Sequence, residues 1–115
     1  MLDESCGTLD EVILFIEGGC GGMVNVKLAK CGGLLAAIEI FNWCEKHKIL
    51  YMIGDMIHSQ LGTAINLFAG LLGKPQVQDF TPLDRLSRDP SSGINVQNNH
   101  FILPKGPGIG INLSL

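Results

Sequence analysis

Met23-Val24-Asn25-Val26-Lys27-Leu28, Leu50-Tyr51-Met52-Ile53-Gly54-Asp55 and Gln76-Val77-Gln78-Asp79-Phe80 are three β-rich runs that begin 27 and then 26 residues apart. That spacing leaves room for one helix each time, so the runs predict a repeated strand-plus-helix unit. Between the first two, Leu34, Leu35, Ile38 and Phe41 recur near helical spacing with Glu39, Asn42, Glu45 and Lys46 interleaved, which predicts an amphipathic helix over 34–46. Between the second and third, the stretch 61–72 is apolar on most sides and stops at Gly73-Lys74-Pro75, the mark of a buried helix. Upstream, Thr8-Leu9-Asp10-Glu11 has the form of a capping box and opens the apolar run Val12, Ile13, Phe15, Ile16, which closes at Gly18-Gly19. A strand stub over 1–4 precedes it. A helical turn is expected over 83–86, followed by an irregular tail rich in Gly, Pro and Asn.

Strands alternating with helices imply a parallel sheet with right-handed crossovers. Two α/β architectures share that pattern, an open doubly wound sheet and a (β/α)8 TIM barrel, and periodicity alone leaves both open. A barrel takes about 250 residues, so a chain of 115 residues with about four strands would be half of one. A dinucleotide-binding form of the open sheet is disfavoured. The cluster Gly18-Gly19-Cys20-Gly21-Gly22 precedes a strand, whereas the phosphate-binding fingerprint follows a strand and opens a helix.

Composition narrows the function classes. The chain is the size of one domain, with 46% hydrophobic and 17% charged residues against the usual quarter or so charged; the low charge points to apolar surface reserved for a neighbour. The net charge is −3 and the lysines and arginines are scattered, which argues against nucleic-acid binding. No apolar run approaches the roughly 20 residues of a membrane span, and the start Met1-Leu2-Asp3-Glu4 is acidic where a signal peptide is basic. No membrane association and a cytoplasmic location are therefore expected. Cys6, Cys20, Cys31 and Cys44 form no CxxC pair and have no His at zinc-finger spacing, so free thiols are expected.

Asp3, Lys27, Asp55 and Asp79 each fall where an expected strand gives way to a loop. In a barrel the carboxyl ends of the strands form the active-site face, so one Lys and three carboxylates would converge there. Any one Asp alone reads equally as a helix cap, and Lys27 alone as a solvated strand end.

Four ordered motifs go further. Asp3-Glu4-Ser5, the segment Val24-Asn25-Val26-Lys27-Leu28-Ala29-Lys30-Cys31-Gly32-Gly33-Leu34, Met52-Ile53-Gly54-Asp55-Met56 and Gly106-Pro107-Gly108-Ile109-Gly110-Ile111 resemble the enolase superfamily. The resemblance is to the muconate cycloisomerase and dipeptide epimerase type (mandelate racemase/muconate lactonizing enzyme), from its fifth barrel strand to its C-terminus. It implies half of a (β/α)8 barrel, with βα units over 1–93 and the tail over 94–115. It implies that Asp3 is one carboxylate ligand of Mg²⁺ and that Lys27 is the general acid/base that moves the proton α to the carboxylate of a small substrate. Such a lysine needs its pKa lowered from about 10.4 by burial or nearby positive charge, and the superfamily is a standing example of Lys bases working beside Mg²⁺. Asp79 matches the first Asp of the epimerases' eighth-strand Asp-x-Asp, which holds a substrate ammonium.

The departures from the family pattern are also specific. Thr81 replaces the second Asp of that pair. Asp55 stands where Cys or a small residue is common and His58 where Glu is common, which implies an altered substrate pocket built from Asp55, His58 and Asp79. In the family the remaining carboxylate ligands, the second-strand Lys pair and the capping domain lie upstream of the position matched by Asp3, and the 115 residues are not expected to supply them. The chain alone is therefore expected to bind Mg²⁺ poorly, since that ion wants near-octahedral oxygen coordination, and to be inactive. Two partners are expected: a second copy of the chain in a dimer, or a chain supplying the N-terminal half-barrel.

Overall fold

The computed structural model describes residues 1–114. Strands β1 (Met23–Val26), β2 (Leu50–Ile53) and β3 (Val77–Gln78) pair in parallel in that order. On the other side of β1, Leu2 forms a parallel bridge to Val24, with the Leu2 N–H donating to Met23 O at 2.7 Å and the Asn25 N–H to Leu2 O at 2.7 Å. Strand order thus follows chain order without reversal, whereas a doubly wound sheet reverses at a switch point.

Helices α1 (Leu9–Glu17), α2 (Leu28–Cys31), α3 (Leu34–His47) and α4 (Gln60–Leu72) connect the strands. The capping box that opens α1 forms as the sequence predicts: the Glu11 N–H donates to Thr8 Oγ1 at 3.3 Å and the Thr8 N–H to Glu11 Oε2 at 2.9 Å. The Gly7 N–H, which also donates to Glu11 Oε2 at 2.9 Å, and then the Thr8 N–H hold the Glu11 carboxyl below its ordinary range. Expected and observed bounds of α3 and α4 agree to within a residue. Leu28, expected within the first strand, instead opens α2, and Gly32 closes α2 in the left-handed region at φ 100°.

Alternation along the strands sorts residues between two faces. Val24, Val26, Tyr51 and Ile53 pack with Val12, Ile40, Phe41 and Cys44 from the helices in one core. The uncovered face carries their neighbours, with Leu50 51% and Val77 50% exposed and Met23 and Met52 half-buried. A sheet open on one face accounts for the elongated shape, 45 × 25 × 23 Å with a radius of gyration of 14.8 Å, against roughly 13 Å for a compact chain of about this length.

The strand expected over 76–80 shrinks to Val77 and Gln78, both exposed at the sheet edge, where β2 alone pairs with them. The helix expected over 83–86 is a 3-10 turn at Leu83–Arg85. The tail is more ordered than expected. β4 (Ser91–Ser92) pairs antiparallel with β7 (Asn112–Leu113), and β5 (Asn95–Gln97) with β6 (His100–Ile102). The turn between β5 and β6 is Asn98-Asn99, both left-handed at φ 49° and 61°, the geometry of a type I′ hairpin that Asn tolerates. The tail also caps α4. Ser59 makes no side-chain cap bond, and the orphan amides of Gln60 and Leu61 are taken by Asp89 Oδ2 at 2.7 Å and Ser91 Oγ at 3.0 Å.

The core face dominates stability. Ile53→Ala, at a fully buried position, is expected to cost about 2–5 kcal/mol. Leu14→Ala, at a position 68% exposed, should stay within about 0.5 kcal/mol. Urea unfolding of both variants measures the contrast.

Candidate active site

Lys27 follows the last residue of β1 and shares the open face with Asn25, two residues earlier. Asp3 follows Leu2, the paired residue of the stub. Adjacent parallel strands thus deliver both side chains to one end of the sheet, and Lys27 Nζ lies 2.8 Å from Asp3 Oδ1 and 2.7 Å from Glu4 Oε1. Lys30 reaches the second oxygen of Glu4. Lys27 is largely withdrawn from solvent, with its side chain 13% exposed. The Lys27 ammonium holds the Asp3 carboxyl below the ordinary carboxylate range, against the opposing pull of burial.

Asn25 completes this cluster. It is buried, its amide helps hold Asp3 ionised, and its Oδ1 has no hydrogen-bond partner. It fits because residue 54 is Gly: a Cβ there would lie 2.8 Å from the Asn25 Cγ. Sequence reasoning missed both Asn25 and Glu4, although Asn25 stands at the i−2 position that shares the Lys27 face.

Asp55 and His58 lie together in a second cluster. The Asp55 side chain is 2% exposed. Its Oδ1 contacts His58 Nε2 and accepts from Asn66 Nδ2 at 2.7 Å, while its Oδ2 accepts from the Thr81 N–H at 2.7 Å. Asp55 therefore ties the end of β2 to α4 and to the segment after β3, and both its oxygens are engaged within the protein. The His58 ring, 20% exposed, places Nδ1 3.1 Å from the Ser59 carbonyl and 3.4 Å from the Thr63 hydroxyl. Asp79 enters neither cluster. It is exposed just past β3, beside a cleft of about 470 Å³ shared with Phe80, His100 and Phe101.

Asp3 Oδ1 is buried, and its pairing with Lys27 lacks the alignment of a hydrogen bond, so it keeps lone pairs that could serve a cation. Among the described residues, however, no group of three or more His, Cys, Asp or Glu side chains could hold a metal ion. One carboxylate does not make a Mg²⁺ site, and the residues present do not fit the ion on their own. The thiols are free as expected: Cys6, Cys31 and Cys44 are buried and Cys20 is exposed. Burial raises the Cys44 thiol to about 11. No helix among the described residues is long and apolar enough to cross a membrane.

The fold is thus a parallel α/β sheet with a paired Lys and Asp at the carboxyl ends of neighbouring strands. The chain belongs to the enolase C-terminal domain-like family, whose model matches residues 1–114. It is 39% identical over 84 residues to the L-amino acid-D/L-Glu epimerase of Sulfurimonas denitrificans, covering 73% of this chain and 24% of that protein. It is 27% identical over 118 residues to the o-succinylbenzoate synthase of Bacillus subtilis, covering 98% of this chain and 31% of that protein. It also matches the structure of the dipeptide epimerase from Methylococcus capsulatus complexed with Mg and the dipeptide L-Arg-D-Lys. That match has a TM-score of 0.85 at 28% identity and covers 95% of this chain and 32% of that one. The chain thus spans 24–32% of the length of these relatives.

The two acidic residues that follow β2 and β3 should respond oppositely to truncation. Asp55→Ala takes the acceptor from the buried Asn66 amide and from the half-buried Thr81 N–H and His58 ring, and is expected to cost about 2–3 kcal/mol, whereas Asp79→Ala should change stability by less than about 0.5 kcal/mol. Equal losses in chemical denaturation would contradict the hub described for Asp55.

Proposed function

We propose that this chain is the C-terminal half of a (β/α)8 barrel whose reaction begins by removing the proton α to a carboxylate, with Lys27 as the general acid/base. The observation that carries this reading is the pairing of Lys27 with Asp3, 2.8 Å apart at the carboxyl ends of adjacent parallel strands, in a chain of this family. Sequential strand order supports the barrel, with the stub, β1, β2 and β3 as its fifth to eighth strands. On this reading 1–93 are the βα units and 94–115 the tail.

The substrate is a small carboxylate of the class handled by epimerases, racemases and o-succinylbenzoate synthases. Asp79, exposed beyond β3, supplies a carboxylate for a substrate ammonium, and Thr81 removes the second one. His58 borders the pocket, and Asp55 shapes it by fixing the Thr81 backbone. Asp3 provides one ligand to Mg²⁺, which supplies positive charge to the substrate carboxylate when bound; its other ligands come from outside the described residues. Lys27 here is paired to two carboxylates, and both must find other partners before the amine accepts a substrate proton.

The test is reconstitution. The chain alone, with or without millimolar Mg²⁺, should show no racemase, epimerase or cycloisomerase turnover on acyl amino acids, dipeptides or muconate. When a matching N-terminal half restores turnover, Lys27→Ala should reduce kcat by about 10²–10⁴-fold and Lys30→Ala by much less. Equal loss at both lysines, or turnover by the chain alone that Lys27→Ala abolishes, would overturn the proposal.

The open sheet face and its two edges favour a second reading for the chain on its own, self-association into a twofold dimer. Met1, Leu50 and Val77 are at least half exposed on that face, and unpaired strand edges recruit other chains. Burying about 1,600 Å² at roughly 25 cal/mol per Å² would offset the cost of association. Light scattering at micromolar concentration should give twice 12.4 kDa; a monodisperse monomer that unfolds cooperatively would contradict it.

A further inference from the structure

The open face of the sheet is graded along its strands. Met23 and Leu50, partners across β1 and β2, stand at its amino end, and Met52 and Val77, partners across β2 and β3, follow on the same face. The carboxyl end carries Lys27, with Asp3 2.8 Å from it. Apolar side chains below and charged ones above is the order inside a closed (β/α)8 barrel, where packed layers fill the interior and the site opens at the carboxyl ends of the strands.

Two unpaired edges flank this face. The stub pairs only with β1 and Val77–Gln78 only with β2, so each offers free backbone groups to another strand. The chain also exposes more surface than its mass accounts for, 7074 Å² against about 6,100 Å² for a folded monomer of 12.4 kDa. The excess of about 900 Å² per copy is close to the roughly 800 Å² that each partner contributes to a standard interface.

We propose that two copies close one eight-stranded parallel barrel about a twofold axis that runs along the strands, the stub of each copy pairing with β3 of the other. The stub, β1, β2 and β3 are four strands in sequential order, and eight is the number at which such a sheet closes with side chains filling its interior. This orientation sets the apolar ends of the two faces against each other and gathers both charged ends at one mouth, so the wall facing each Lys27 is built by the partner's sheet. A twofold axis across the strands would instead lay Lys27 and Asp3 over the partner's apolar end, at the cost of charges desolvated without partners. The stub-to-β3 contact occurs twice, so both edges of both copies are covered and none is left for a third chain. This closure rests on the twofold dimer proposed above and fixes its axis and its edges.

Leu50→Lys and Val77→Lys each place a charge on the open face, at positions at least half exposed in the single chain. Both should keep the wild-type far-UV circular dichroism and weaken the dimer at least about a hundredfold in a light-scattering dilution series, because closure would bury an unpaired ammonium from each copy. Leu14→Lys, 68% exposed on the side of α1 away from buried Val12, should leave the dimer unchanged. In wild-type dimers of one isotope-labelled and one unlabelled copy, intermolecular NOEs should join residues 1–4 of one copy to residues 76–81 of the other, a readout that decides even where a lysine variant unfolds. A monomeric wild type would overturn the dimer and the closure together. A wild-type dimer that survives Leu50→Lys, that is broken by Leu14→Lys, or whose NOEs join like edges would leave the dimer standing and overturn the closure.

Discussion

Everything at the candidate site depends on the two-residue alternation of β1. Val24 and Val26 enter the helix-covered core, which obliges Asn25 and Lys27 to emerge on the opposite face. The burial of two valines therefore aims the lysine. A slip of one residue against β2 would reverse both outcomes together, burying an ammonium among aliphatic side chains and exposing the valines. The register Val24 with Tyr51 and Val26 with Ile53 guards against it, because all four are strongly buried residues of one core.

The loops beyond the strands are held by a different kind of interaction. Apolar packing fixes the strands, but the segments after β2 and β3 converge on one buried carboxylate. Asp55 gathers His58, Asn66 and the Thr81 backbone, so the position of the segment carrying Asp79 is referred back to the end of β2. The tail plays the matching part at the start of α4, where Asp89 and Ser91 replace a local cap and Gln60 Oε1 accepts from the Ile94 N–H at 3.1 Å. Polar bonds between segments some thirty residues apart thus do at this end of the molecule what methyl packing does in its centre.

The charged cluster has a different character from the Asp55 hub. Lys27 and Lys30 meet Asp3 and Glu4 near the surface, and the Glu4 side chain is 70% exposed, so much of that pairing is open to solvent and exchange. Such a cluster can exchange its partners for water. The Asp55 carboxylate, 2% exposed, is instead shut off from solvent with both oxygens engaged inside the protein.

The sequence by itself determined the three longer helices, the capping box, the order of the strands and these helices, and the four positions at strand ends, because these follow from local periodicity, caps and turn residues. Its motifs also carried the family. It left open which strand face the helices cover, because alternation reveals two faces without saying which one is packed. The brevity of β3, the hairpin at Asn98-Asn99 and the capping of α4 by Asp89 and Ser91 were likewise invisible, since each depends on what lies opposite in space. Only the tertiary structure decided that Asp55 is a saturated hub while Asp79 stays open. Both are Asp residues one or two places beyond a strand, and what separates them is the set of donors that folding places around each carboxylate.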